Sequence, residues 1–342
     1  MITTPNRHVR RRLAVGGAVI GLAASALAAS GHAAAAGDTA SVANDTLTVS
    51  TGSGADRLAL RLQAAAPTQL EVDFGDDGTA DETFDRTTFS RIAVSLGSGN
   101  DTFRVDQVNG AFTDEALVVD AGSGNDVMNG GDGRETFIGA SGSDAVDGNR
   151  GDDVGFLGEG DDSFRWDPGD GSDVLEGQDS DEGADTMLFN GAGIAEDFDV
   201  SANGGRVRFF RNIANITMDL NDVESILTEA LSGKDNAVVH DMSGTDLKNV
   251  EFDLEAAIGG NAGDGEADTV TVEGTNAPDT MAVAANAGGV DVTGLAAAVR
   301  IEHSEVANDL LKVSTLAGND DVAIGGGVAG LIQTLVDLGA DE

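Results

Sequence analysis

The chain has 342 residues, of which 60 are acidic and 19 basic, and its formal net charge is −41. This charge argues against nucleic acid or an anionic membrane surface as a partner, because both select positively charged proteins. The chain contains no cysteine, which excludes disulfides, thiolate metal sites and a thiol nucleophile. A compact chain with so much negative charge repels itself unless cations neutralise it.

The N-terminus has the pattern of an export signal. Four arginines between Arg7 and Arg12 precede an apolar stretch from Leu13 to Ala29, and small residues follow to Ala36. We therefore expect residues 1–36 to be a cleaved signal peptide and the mature protein to be secreted into the extracellular space or to the cell surface. A retained membrane anchor is the alternative, and the arginine run leaves the Sec and twin-arginine routes both open. We expect no membrane span in the mature chain.

Residues 37–95 alternate apolar and polar side chains, as in LALRL and RIAVSL, which predicts a β-rich segment of short strands. Within it, DFGDDGTADETFD (73–85) partly matches an EF-hand calcium loop. Gly75 and Phe84 stand where that loop needs a ligand and a bidentate glutamate. The interpretation we favour is a turn between two strands.

Residues 96–188 are rich in glycine and aspartate and repeat every nine residues. Five unbroken rows run AGSGNDVMN, GGDGRETFI, GASGSDAVD, GNRGDDVGF and LGEGDDSFR, from residue 121 to residue 165. The fourth residue of each row is glycine, the sixth is acidic, and the eighth is apolar in every row except that of Gly155. A disordered acidic linker has a similar composition, but it has no reason to keep an apolar residue at every ninth position.

These rows resemble the calcium-binding nonapeptide G-G-x-G-x-D-x-U-x of secreted bacterial RTX, or haemolysin-type, proteins. The resemblance is specific for residues 121–165 and extends more loosely over 96–188. It implies a parallel β-roll in which two nonapeptides form one turn and Ca²⁺ ions sit between the loops of successive turns. One family feature is absent: many RTX proteins carry a C-terminal secretion signal, so toxin or pore-forming activity does not transfer.

The resemblance also implies the metal ligands. Asp126, Asp144 and Asp162 should line one edge of the roll, and Glu135 and Asp153 should line the other, continued by Asp173. The full set of expected ligands is Asp101, Asp126, Glu135, Asp144, Asp153, Asp162, Asp173 and Asp185. Glu135 has a longer side chain than aspartate, and Gly155 is expected to leave a hole in the core. We therefore expect the edge of Glu135 and Asp153 to bind metal more weakly.

Two segments follow the repeats. Residues 189–258 are predicted to be β-rich, with one short helix near NDVESILTEAL (221–231), and residues 259–342 to be degenerate solenoid-like repeats. Gly-Asp turns at Asp268, Asp279 and Asp320 are interpreted as structural turns, with calcium binding as the alternative. Three side-chain interpretations complete this part: Trp166 packs on the roll, His240 is a solvated surface histidine, and the arginines form one solvated face (Arg206, Arg208 and Arg211).

The sequence thus predicts an all-β protein with a central parallel β-roll, or β-solenoid, between β-rich flanking segments. We expect a secreted calcium-binding protein with a structural or adhesive role and with a cell-surface or matrix glycan or protein as further partner. No H-E-x-x-H or G-x-S-x-G motif is present, so we do not expect an enzyme. The alternative is a secreted hydrolase with an acidic site in 189–342, which the roll would stabilise.

Overall fold

The computed structural model describes residues 37–178 and 183–339. The predicted signal peptide, residues 1–36, lies outside this range, as do residues 179–182 and 340–342. The described chain is all-β, as the sequence predicts: it contains strands and three short 3₁₀ turns (Arg86–Thr88, Ile213–Asn215 and Val328–Gly330) but no α-helix between residues 37 and 178 or between 183 and 339.

Short strands separated by tight turns make up the whole described chain. Before the repeats these are β1 (Thr39–Ala43), β2 (Thr46–Ser50), β3 (Arg57–Gln63), β4 (Ala66–Phe74), β5 (Glu82–Asp85) and β6 (Arg91–Ser95). Across the repeat segment they are β7 (Thr102–Asp106), β8 (Ala116–Asp120), β9 (Val127–Asn129), β10 (Glu135–Ser141), β11 (Ala145–Asp147), β12 (Val154–Glu159), β13 (Ser163–Trp166), β14 (Val174–Glu176) and β15 (Thr186–Asn190).

The strands after the repeats are longer on average than those within them. They are β16 (Asp197–Asn203), β17 (Arg206–Arg211), β18 (Ile216–Asn221), β19 (Ser225–Glu229), β20 (Asn236–Val239), β21 (Asn249–Asp253), β22 (Thr269–Glu273), β23 (Thr280–Asn286), β24 (Gly289–Thr293), β25 (Ala298–Glu302), β26 (Leu310–Ser314), β27 (Asp321–Ile324) and β28 (Gln333–Asp337).

These strands form two sheets of 14 strands that face each other across one core. In the first sheet the order is β1-β2-β6-β8-β10-β12-β14-β18-β17-β16-β20-β22-β26-β28. In the second it is β27-β23-β24-β25-β21-β19-β15-β13-β11-β9-β7-β3-β4-β5. Most neighbours are parallel, because the chain crosses from one sheet to the other at each turn. Antiparallel hairpins interrupt the pattern at β1–β2, β3–β5, β16–β18 and β23–β25.

The register within the repeats follows the nine-residue period. Val146 of β11 pairs with Met128 on one side and with Phe164 on the other, each 18 residues away. Two nonapeptides therefore form one turn, as expected. Several strands here have only three residues, with a single buried apolar side chain each. Burying such a side chain contributes roughly 1.5–3 kcal/mol, so the repeat segment has a thin core for its length.

Both sheets continue across the predicted segment boundaries at 95/96, 188/189 and 258/259. Strands β6 and β8, β15 and β19, and β21 and β25 pair across them in parallel register. The segments therefore differ in sequence pattern but belong to one continuous solenoid. Across residues 37–178 and 183–339, no helix is long and apolar enough to span a membrane.

Two sequence predictions about local structure are wrong. NDVESILTEAL forms strand β19, with alternating buried and outward residues, because its Ile226 and Thr228 fall on the core side of a parallel ladder. Gly155 leaves no hole: a Cβ there would lie 3.2 Å from Cδ2 of Phe164 and 3.5 Å from Cδ2 of Leu157. Leu157 stands where the row pattern has glycine, and its side chain occupies the space beside Gly155.

The side chain of Trp166 packs in the core, as predicted. Its ring is fully buried and stacks on Phe189 at a centroid distance of 4.1 Å, and its indole N–H donates to the carbonyl oxygen of Gly171 (2.8 Å). Phe198, Phe209 and Phe252 continue this aromatic cluster into the segment after the repeats. The flank therefore has a thicker core than the repeats that precede it.

Candidate metal centre

The acidic residues of the nonapeptides lie in two ladders, one along each edge of the solenoid. The first ladder follows the N-terminal ends of strands in the second sheet. In it the backbone N–H of each acid donates to a carboxylate oxygen of the acid one turn later. Its rungs are Asp56, Asp101, Asp126, Asp144, Asp162, Asp185 and Glu224, with N···O distances of 2.6–3.0 Å.

The second ladder follows the N-terminal ends of strands in the first sheet. Glu135 donates its backbone N–H to Oδ1 of Asp153 (2.7 Å), and Asp153 donates in the same way to Asp173 (2.8 Å). Further along the same sheet, the pattern resumes with Glu196, Asp235, Asp268 and Asp309. The structure thus places all eight expected ligands in two ladders and divides the six that were assigned to an edge as expected; Asp101 and Asp185, which were assigned to neither, lie in the first ladder.

Each rung carboxylate has two oxygens, and the second oxygen distinguishes two kinds of rung. In the open rungs, Oδ2 is buried and has no hydrogen-bond donor within the described part of the chain. Open rungs within the nonapeptides include Asp101, Asp126, Asp144, Asp153 and Asp173. A buried carboxylate oxygen without a donor is costly. The open rungs therefore have the geometry of groups that a cation or a proton must satisfy.

In the capped rungs, the second oxygen accepts a backbone N–H from the loop of the same acid. Glu135 accepts from Gly131 (2.9 Å), Glu196 from Ala192 (2.7 Å) and Asp309 from Glu305 (2.6 Å). Asp279 accepts likewise from Thr275. Capping removes the need for a cation at that oxygen, so these rungs can act as structural turns.

Oxygens converge beside the first glycine of a row. A Cβ built on Gly139 would lie 2.5 Å from Oδ2 of Asp144 and would overlap the carbonyl oxygen of Leu157. Both oxygens therefore face the same small space, which only a glycine leaves open. A carboxylate oxygen and a backbone carbonyl are the ligands that Ca²⁺ takes in proteins, so the residues present fit this ion.

The fourth glycine of each row lets successive loops stack closely. Gly142 has φ +130°, and a Cβ there would overlap the carbonyl oxygen of Gly124 in the preceding turn. Only glycine adopts this backbone conformation without strain. The loops on one edge therefore lie close enough for their oxygens to surround one ion.

Burial shifts the acidity of the ladder carboxyls. Desolvation raises the pKa of Asp144 to about 7. The hydrogen bond from the backbone of Asp126 opposes this shift, and the negative charges of Asp162 and Asp126 add to it. The same cause raises the pKa of Asp173 to about 7 and that of Asp153 to about 9. These shifts mean that neighbouring rungs resist being charged together unless a cation offsets their repulsion.

No protein-family model and no curated protein matches this chain by sequence. The function of the ladders must therefore be inferred from the geometry of the chain itself. That geometry, with open rungs, converging oxygens and stacked glycine loops, supports coordination of a hard cation more than acid–base chemistry.

Sequence reasoning missed several rungs. Asp56 and Asp235 are open rungs, and Glu224 closes the described end of the first ladder. The spacing from Asp56 to Asp101 is 45 residues and that from Asp185 to Glu224 is 39, because hairpins are inserted in these turns. A search for a nine-residue period cannot find rungs at such distances.

The loop 73–85 connects the antiparallel strands β4 and β5, which confirms its interpretation as a turn. Asp73 is fully buried and its carboxylate accepts hydrogen bonds from the backbone of Asp77 (3.1 Å) and Gly78 (2.9 Å) and from Arg61 (2.5 Å). Both oxygens are thus already engaged, so this loop offers no open carboxylate at Asp73.

Two predictions about basic side chains are wrong. His240 bridges two carboxylates: Nδ1 lies 2.7 Å from Glu273 and Nε2 lies 2.8 Å from Asp199, with the ring about one-third exposed. Arg211 does not share the outward face of Arg206 and Arg208, because it has the opposite parity on β17. It is buried, pairs with Glu196 and lies 5.1 Å from the ring of Trp166.

Proposed function

We propose that the chain is an exported calcium-binding protein whose β-roll is stabilised by Ca²⁺ ions held between successive turns. The observation that carries this proposal is the buried second oxygen of the open rungs, which no donor reaches among the described residues. Ca²⁺ takes six to eight oxygen ligands at about 2.3–2.6 Å and accepts carbonyl and carboxylate oxygens together. The resemblance of residues 121–165 to RTX nonapeptides supports the same ion.

Metal binding and folding should be coupled in the repeats. Their three-residue strands bury one apolar side chain each, which is little apolar area to offset the entropy of ordering the chain. Without a cation, neighbouring rungs also repel. Binding free energy therefore becomes folding free energy in this segment. Extracellular calcium modules bind at roughly 10⁻⁴–10⁻³ M, so the roll would remain expanded in the cytoplasm and fold after export.

The function of the folded protein is then coordination and support, not catalysis. A long solenoid presents extended flat faces, which suit a structural or adhesive role toward a cell-surface or matrix glycan or protein. Glycan pull-down with and without Ca²⁺ would test this role: calcium-dependent capture supports it, and equal capture in both conditions contradicts the link to the roll.

Calcium binding is tested by one isosteric substitution in each kind of rung. Asp144→Asn keeps an oxygen that can accept the N–H of Asp126 but loses the charge and the open oxygen. We expect its affinity for Ca²⁺ at that edge to fall at least about tenfold. Its calcium-free form should be no less stable than wild type, because a buried charge has been removed.

Asp309→Asn is the matched control. Both oxygens of Asp309 accept backbone N–H groups, from Asp268 (3.1 Å) and Glu305 (2.6 Å), so the amide loses one of them and costs about 1 kcal/mol. Calcium affinity, measured by isothermal titration calorimetry, should not change. Equal calcium affinities for wild type and Asp144→Asn would contradict the proposal.

A further inference from the structure

A second cluster of acidic residues lies outside both ladders, on the outer face of the second sheet. Glu229, Asp253 and Glu302 end the strands β19, β21 and β25, and they are register partners across these parallel strands. Like charges directly opposite one another destabilise a sheet. Arg300 pairs with Glu302, so the unbalanced charge of this row lies on Glu229 and Asp253.

Glu255 and His303 complete the cluster. Ligand atoms of Glu229, Asp253 and Glu255 all lie within 4.8 Å of one another, and so do those of Asp253, Glu302 and His303. Nδ1 of His303 lies 2.6 Å from Oδ1 of Asp253 and 4.0 Å from Oε2 of Glu255. The two groups share Asp253, which brings carboxylate oxygens and an imidazole nitrogen into adjoining positions.

An independent observation points to a ligand at this cluster. The side chain of Glu255 is only 3% exposed, and its Oε1 has no hydrogen-bond donor in residues 37–178 and 183–339. Oε2 of Glu229 is buried and lacks a donor in the same way. Two buried carboxylate oxygens without a donor, on residues whose ligand atoms lie within 4.8 Å of one another, call for a cation.

The donor set distinguishes this cluster from the calcium ladders. Imidazole nitrogen is a ligand for zinc and similar transition metals, whereas the ladders offer oxygen alone. The side chain of His303 is 24% exposed, so an ion can reach the cluster from solvent.

We propose that Glu229, Asp253, Glu255 and His303 bind one divalent transition-metal ion of the zinc class, at a site separate from the calcium ladders. Zn²⁺ binds carboxylate oxygen and histidine nitrogen at about 2.0–2.2 Å in tetrahedral geometry, so neighbouring ligand atoms lie roughly 3.4 Å apart. Ligand atoms within each of the two groups now lie up to 4.8 Å apart, so some pairs must approach each other by up to about 1.4 Å when the ion binds. The ion would join β19, β21 and β25 at their C-terminal ends.

The test is a Zn²⁺ titration of the protein in millimolar Ca²⁺, followed by competition with a chromophoric chelator. Excess Ca²⁺ occupies oxygen-only sites, so the remaining Zn²⁺ binding reports on the cluster. Wild type should bind Zn²⁺, and His303→Gln and Glu255→Gln should each weaken binding at least about tenfold. A repeat without Ca²⁺ shows whether the site exists even if the ladders bind no calcium.

Two matched controls should leave Zn²⁺ affinity unchanged. His240→Gln removes the other histidine of the described chain that contacts carboxylates; its ring bridges Glu273 and Asp199 and lies outside the cluster. Glu251→Gln changes an acid on the outer face of β21, near Arg300 (3.8 Å) and outside the cluster. A circular dichroism spectrum that matches that of wild type confirms that each variant folds.

Three results would overturn the proposal. Wild type would bind no Zn²⁺ in the presence or absence of Ca²⁺, His303→Gln would bind as tightly as wild type, or excess Ca²⁺ would displace Zn²⁺ completely. The last result would assign the cluster to the oxygen-only class of site.

Discussion

The repeat segment and the segment after it use the same architecture but stabilise it differently. In residues 96–178 most nonapeptide rungs are open, the strands are short, and no donor among the described residues satisfies the second carboxylate oxygen of these open rungs. After residue 189 several rungs are capped by backbone N–H groups, as at Glu196 and Asp309. The same acidic ladder therefore serves as a candidate metal site in one region and as a turn in the other.

The two segments also differ in their aromatic packing and in the burial of their arginine ion pairs. Arg211 and Glu196 form a buried ion pair after the repeats, beside a cluster of packed aromatic rings. Arg206 pairs on the surface with Asp219 (2.6 Å) and Glu176 (2.8 Å). The segment after the repeats thus pairs a ladder acid with a buried arginine, whereas Arg104 and Arg165 of the repeats pair with acids outside the ladders.

The largest effect of a single substitution is expected at the buried ion pair. Arg211→Met leaves Glu196 charged and unpaired in the core, which should destabilise the protein by about 3–5 kcal/mol with or without Ca²⁺. Arg208→Met removes a pair with Asp199 (3.0 Å) in which both side chains are about one-third exposed, and it should cost less than about 1 kcal/mol. Urea unfolding measures both, and a calcium-dependent loss for Arg211→Met would contradict the division between the regions.

Glycine substitutions should separate loop stacking from core packing. Gly142→Ala forces a Cβ onto the carbonyl of Gly124 at a positive φ and should cost about 1–3 kcal/mol. It should also weaken Ca²⁺ binding, because the loops move apart. Gly155→Val should overpack the space filled by Leu157 and cost about 1–3 kcal/mol without changing Ca²⁺ stoichiometry. A stabilising Gly155→Val would show that a hole exists after all.

The pH dependence should have opposite signs with and without calcium. Burial raises the pKa of Asp144 and Asp173 to about 7 and that of Asp153 to about 9, so the calcium-free fold binds more protons than the unfolded chain above pH 4. Its stability should therefore fall as the pH rises from about 4 to 9. Calcium affinity should rise over the same window, because Ca²⁺ competes with these protons.

Thermal unfolding at several pH values, in chelator and in excess Ca²⁺, checks this prediction. A calcium-free protein that gains stability between pH 4 and pH 9 would mean that the open rungs are satisfied in another way.

The smallest effect is expected at Glu135. Its Oε2 accepts the N–H of Gly131 (2.9 Å), so this rung is capped although it lies within the nonapeptides. Glu135→Asp should shorten the side chain, release the cap and raise Ca²⁺ affinity at the second edge a few-fold. A lower affinity, measured by calorimetry, would mean that Glu135 itself ligates the ion better than aspartate. The weaker binding expected at this edge remains a prediction that now depends on Glu135 alone.

The sequence predicts the parts of the structure that repeat locally. The nine-residue period places Asp126, Asp144 and Asp162 on one edge and Glu135 and Asp153 on the other, since two rows make one turn. It cannot find Asp56 or Asp235, whose neighbours in the ladder lie 45 and 33 residues away across inserted hairpins. Register between distant strands is set by tertiary pairing, which a local pattern does not encode.

Side-chain partners were the least predictable feature. Leu157 fills the space beside Gly155 from a different position in the row, and Arg211 points inward because its parity on β17 differs from that of Arg206. The cluster of Glu229, Asp253 and His303 spans three strands that are distant in the chain. Only the strand register brings such residues together.

The most direct measurement is a Ca²⁺ titration followed by regional amide hydrogen exchange, with Mg²⁺ as the control ion. Amides of the repeat segment should gain protection cooperatively with Ca²⁺ and not with Mg²⁺, which gives up its water ligands reluctantly. Strands β16–β22 should be protected much more than the repeats before calcium is added. Protection of β9–β14 that is complete without Ca²⁺ and unchanged by it would contradict the account.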